Sequence, residues 1–184
     1  MSFTASSLEY LVNGCTALLW MLVLMSSNQR LPESMSILLL PVLYAIGMLI
    51  DVASYYVLRP LQKRRLARAK QWTEVDFPWP KRSMTIDIII ANSDLGRELL
   101  IRASRVRTAR GTWLNFLILT IALTFRPLPS SLPYPKWTFI VLSIGLDLLA
   151  FVAWHRFEFL VDVFKHNAYK QTRPSSSSQQ PTTP

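Results

Sequence analysis

Four apolar blocks separated by polar segments set the reading of this chain. They run from Tyr10 to Met25, Met35 to Leu58, Thr112 to Phe125 and Trp137 to Trp154. Unbroken apolar stretches of this kind match a bilayer better than a soluble core, where apolar positions recur periodically among polar ones. The expected fold is an all-α integral membrane protein with four transmembrane helices in two hairpins, residues 1–58 and 112–154. A basic cytoplasmic loop, 59–111, joins the hairpins, and an amphipathic helix, 155–170, precedes a disordered tail, 171–184.

The blocks differ in how readily they span. The second and fourth are long enough, and Pro41, Gly47, Asp51 and Ser54 inside the second are tolerated where neighbouring helices satisfy freed polar groups. The first has sixteen residues and is expected to borrow Leu8 and Ser26 or Ser27 to cross a core of ~30 Å. Its leader, MSFTASSLEY, has no Lys or Arg ahead of the apolar run and no small-residue cleavage pattern after it, so a retained anchor is expected. The third block has only fourteen residues, ~21 Å as a helix. It spans if Arg110 and Arg126 snorkel or the bilayer thins, and is otherwise re-entrant or interfacial.

Local chemistry predicts the loop. LQKRRLARAK continues the second block as a basic helical extension, and Pro78 and Pro80 break any helix between Trp72 and Pro80. MTIDIIIA alternates Met84, Ile86, Ile88 and Ile90 with Thr85 and Asp87, which predicts a short strand. Ser93 is the expected N-cap of a helix with Asp94 and Glu98 near its start and Arg102, Arg105, Arg107 and Arg110 toward its end. RPLPSSLPYPK reads as a stiff connector, and Phe157, Leu160, Phe164 and Ala168 share a face of the terminal helix. The tail QTRPSSSSQQPTTP is low in complexity.

Charge orients these elements. The chain is 51% hydrophobic yet carries a net charge of +9, and thirteen of its twenty Lys and Arg lie in 59–111. Four more follow His155, whereas the other two connectors hold only Arg30, Arg126 and Lys136. Cytoplasmic segments retain basic residues, so the loop and both termini are expected in the cytoplasm. Arg64, Arg65, Arg68, Arg105, Arg107 and Arg110 are the expected contacts to anionic lipid headgroups. Trp72, Phe77 and Trp79 among basic residues suggest base stacking, but no nucleic-acid module is present and a membrane already accounts for the charge. Nucleic acid is not expected as a partner. The small size and short loops suggest a bacterial inner membrane.

Polar residues within the blocks are the candidate site. Asp51 lies eight residues before Arg59 and Asp147 eight before His155, so both sit ~12 Å deep and at one level. With Asn13, Thr16 and Asn115 they are expected to form one buried polar cluster to which all four helices contribute. Such a cluster can fix helix register through hydrogen bonds. It can also hold a proton or cation between two close carboxylates. His155 and His166 stand eleven apart without further ligands, the glycines form no phosphate loop and the serines no nucleophile elbow. No metal, cofactor or catalytic residue is therefore expected.

The functional expectation is a noncatalytic membrane protein that oligomerises and recruits or signals to a soluble cytoplasmic partner, with Trp79, Ile86, Ile88 and Ile90 as contacts. The alternative is a small proton- or cation-conducting channel or transporter built on Asp51 and Asp147.

Overall fold

A computed structural model describes residues 3–25, 36–72, 82–126 and 134–172. These form five helices and no strand: α1, Phe3–Met25; α2, Ser36–Trp72; α3, Arg82–Ala91; α4, Ser93–Phe125; and α5, Lys136–Thr172. At 1.5 Å per residue α2 and α5 are each ~55 Å long, well beyond the thickness of a hydrocarbon core. Two helices are long and apolar enough to cross a membrane, α2 over Leu39–Arg64 and α5 over Lys136–Tyr169, while α1 offers a shorter apolar stretch, Leu8–Leu24. Large apolar side chains cover their outer faces, among them Leu49 and Val52 on α2 and Leu142, Leu149 and Val152 on α5. An apolar surface of this extent belongs against lipid or another protein.

Helix α4 is the axis of the molecule, packed against each of the other four helices. α1 and α2 run antiparallel, with Gly14 against the backbone of Leu43 and Gly47 against that of Tyr10. At both crossings a Cβ would collide with a carbonyl oxygen, so glycine is what lets the two backbones approach. The Tyr10 and Tyr44 rings close the crossing edge-to-face at 5.5 Å. α4 and α5 are also antiparallel, joined by Thr120 and Ser143 hydroxyls at 2.8 Å, Trp113 against Phe151, and the Arg102 guanidinium 4.5 Å above the Phe164 ring.

Two apolar clusters hold the α4 side of the molecule together. Leu58, Ala109 and Trp154 unite α2, α4 and α5, with Val106, Trp113, Phe151 and Phe157 around them. Ile88, Leu99, Val161 and Ala168 unite α3, α4 and α5. Full burial of an Ile or Leu side chain contributes about 1.5–3 kcal/mol, so Ile88 and Leu99 are the principal anchors of α3.

Three local expectations are corrected. MTIDIIIA is not a strand but most of α3. A lone strand leaves its backbone donors and acceptors without partners, whereas a helix satisfies them internally. The helical period then separates the isoleucines, burying Ile88 completely while Ile86 and Ile90 face outward, 51% and 79% exposed. The N-cap of α4 is Asn92, one residue before Ser93, and its Oδ1 accepts from the backbone N–H groups of Asp94 and Leu95 at 2.9 and 3.2 Å. The fourth block and the terminal amphipathic segment are one continuous helix, α5. Its inward face there is Trp154, Val161 and Ala168, which leaves Leu160 exposed.

Candidate functional site

The polar residues of the first hairpin and of α4 meet along one seam. Glu9, Asn13 and Thr16 are spaced four and three residues apart and so lie on a single face of α1. Ser104, Arg107, Gly111 and Asn115, spaced three, four and four residues apart, likewise share a face of α4. The two stripes face each other in parallel. At one end Glu9 takes a hydrogen bond from the Ser104 hydroxyl and pairs with Arg107 Nε at 3.2 Å. Further along, Gly111 lies against the Asn13 side chain, where a Cβ would overlap it. At the far end Asn115 Nδ2 donates to the Asn13 carbonyl at 2.8 Å and to Thr16 Oγ1 at 2.7 Å, while its Oδ1 accepts from Trp20 Nε1 at 3.0 Å.

Asp51 closes the seam from α2. Its carboxylate pairs directly with the guanidinium of Arg110, and both residues are only 8% exposed. The guanidinium also lies 5.2 Å from the ring centre of Tyr55, one turn beyond Asp51, and Ser54 Oγ donates back to the Asp51 carbonyl at 2.8 Å. A buried charge without a partner is strongly destabilising, so each member of this pair requires the other. Arg110 Nε and Asn13 Nδ2 are buried donors without an acceptor among the described residues.

The structure therefore brings together three of the four residues expected in the intramembrane cluster: Asn13, Asp51 and Asn115. It leaves the fourth apart. The Gln62 amide donates to Glu158 at 2.7 Å across an offset of 96 residues, the same offset that separates Asp51 from Asp147, so the two aspartates lie at one level of the parallel helices α2 and α5. No hydrogen bond or ion pair joins them. Among the described residues Asp147 Oδ1 is buried without a hydrogen-bond partner, one turn from the Ser143 hydroxyl that bonds Thr120. The expectation of one cluster fed by all four helices is corrected to a three-helix seam plus a separate aspartate. Helix packing explains it: α4 contacts both the first hairpin and α5, while α2 and α5 meet farther along, at Leu58 with Trp154 and Gln62 with Glu158.

The expected headgroup arginines divide as well. Arg64 and Arg105 are exposed. Arg65 and Arg68 lie in α2 with side chains outside the described residues, as is Trp79 altogether. Arg107 and Arg110 turn inward to Glu9 and Asp51. Glu9 is the member of the seam that the sequence reading does not single out. Its signal was present: an acid at the edge of an apolar block, four residues before Asn13 on the same helical face.

Chemically, the seam is a network in which each of the two carboxylates is matched by a guanidinium, with Arg110 Nε and Asn13 Nδ2 left as unmatched donors among the described residues. Among the described residues no three His, Cys, Asp or Glu gather to hold a metal ion. No protein-family model matches the sequence, and neither the curated proteins nor the solved structures compared with it give a match.

Proposed function

We propose that this chain is a noncatalytic multi-pass membrane protein that oligomerises and recruits or signals to a cytoplasmic partner. In this reading α1, α2, the second half of α4 and the first half of α5 are four spans of a bacterial inner membrane. Both termini and the segment 59–111 face the cytoplasm, where anionic headgroups meet the exposed arginines. The observation that carries the reading is α3. Ile86 and Ile90 stand exposed on a short helix within the basic segment 59–111, and its opposite side is anchored by Ile88. Apolar residues presented on a fixed element outside the apolar blocks have the character of a contact surface.

The test is purification of the full chain in mild detergent, with its mass measured alongside whatever co-purifies. Ile86→Asp/Ile90→Asp is expected to release the soluble partner without loss of the folded protein. Ile88→Asp, which places a charge in the core, is expected to unfold the α3 region instead. A monomer that brings down no protein in the unaltered state would overturn the proposal.

A second reading has one observation in its favour, the buried and unpaired Oδ1 of Asp147. An ionisable group of that kind inside a membrane span marks proton and cation paths. Ion flux from liposomes that is abolished by Asp147→Asn at unchanged protein level would favour a channel or transporter. Asp51 contributes less to such a path than its depth suggested, because Arg110 already neutralises it.

A further inference from the structure

The third apolar block is too short to cross a bilayer alone, and the structure contains a device that compensates. A span of about twenty residues ending at Phe125 has to begin at Val106, which places Arg107 and Arg110 within it. Both arginines are met by acids of the first hairpin, Arg107 by Glu9 and Arg110 by Asp51. Asp51 itself lies two turns inside α2 from Arg59, a depth at which an unpaired charge of either sign is costly. The arginines that would keep α4 out of the membrane are thus those that the first hairpin neutralises, at the same face and in register with Gly111 and Asn115.

We propose that insertion of α4 is conditional on the first hairpin. Asp51 serves as the intramembrane counter-charge of Arg110, with Glu9 doing the same for Arg107 nearer the surface. α1 and α2 enter first and present a polar seam, and α4 enters against it with its guanidinium groups already matched. The side of the membrane reached by the 126–136 connector, and with it the orientation of α5, follows from that pairing. The proposal rests on the four-span reading above, and its test separates the two.

The experiment uses the full chain with Cys15→Ser and a single new thiol, Tyr134→Cys, at a residue that is 64% exposed two positions before α5. Intact cells are treated with a membrane-impermeant maleimide. In this background the thiol is expected to label from outside, and labelling only after cell disruption would defeat the four-span reading and this inference with it. Given external labelling, Asp51→Asn is expected to lower it by about tenfold or more, because a lone guanidinium now has to enter hydrocarbon. Arg110→Leu leaves Asp51 unpaired in α2 but should still label from outside, since α4 itself then carries no guanidinium at that depth to keep it out. Asp51→Asn/Arg110→Leu should recover the labelling that Asp51→Asn loses, a rescue that a merely unfolded single variant would not explain. Unchanged labelling in Asp51→Asn, or a double variant no better than Asp51→Asn alone, would overturn the counter-charge role while leaving the four spans intact.

Discussion

At the scale of single residues, glycine and buried polar atoms carry the most information. Gly14 and Gly47 sit where a methyl group would run into the carbonyl oxygens of Leu43 and Tyr10, whereas Gly145 on the outer face of α5 has open space around its Cα. Gly14→Ala and Gly47→Ala are each expected to destabilise the protein by about 1–3 kcal/mol, as overpacking does. Gly145→Ala should be neutral or stabilising by up to about 1 kcal/mol through helix propensity. Thermal unfolding of the three variants in one detergent checks the contrast, and equal losses would refute the crossing geometry. Trp154 separates packing from hydrogen bonding in the same way. It is 2% exposed, and its indole N–H has no partner among the described residues. Trp154→Phe should therefore cost less than about 1.5 kcal/mol and Trp154→Ala about 3–5 kcal/mol. These positions were only partly legible in sequence. Glycine within an apolar block suggests a close approach, but which backbone approaches is a property of the assembled hairpin.

At the scale of elements, the decisive case is α3. Alternation over eight residues favoured a strand, and tertiary packing overrode it. The segment has no neighbouring strand to pair with, while α4 and α5 offer Leu99, Val161 and Ala168 as a groove that a helix fills with Ile88. The start of α4 shows a smaller displacement of the same kind. Asn92 and Ser93 are both good caps, and the choice went to Asn92, which can follow α3 directly and still bond Asp94 and Leu95. Asn92→Ala is expected to lower the stability of this end by about 0.5–2 kcal/mol. The loss should appear as faster hydrogen exchange in the first turn of α4, with the exchange of α1 and α2 unchanged. Uniform acceleration across all helices would argue against a local cap.

At the scale of the whole molecule, orientation is the prediction of widest reach. A reporter fused after Lys170 is expected to remain on the cytoplasmic side, together with one placed in the basic segment after Arg64, since seventeen of the twenty basic residues lie on that side in the four-span arrangement. An exported reporter at Lys170 would remove the arrangement. The sequence by itself determined that the chain is helical and apolar in blocks, that two of the blocks are long enough to span, and where positive charge accumulates. These are one-dimensional quantities, set by the number of apolar residues against the thickness of a bilayer and by charge per segment. It also placed Asn13, Asp51 and Asn115 in the apolar blocks, because a polar residue there is conspicuous without any structure. Only the tertiary structure decided which polar groups meet. Asp51 and Arg110 are 59 residues apart and Glu9 and Arg107 are 98 apart, so each pairing depends on helix rotation and crossing as well as depth. Asp147 shares a level with Asp51 but lies outside the seam. The seam that began in sequence as a stripe of conspicuous polar residues is, in the folded chain, a set of charges matched across three helices, because an unpaired charge costs far more inside such an interface than at its surface.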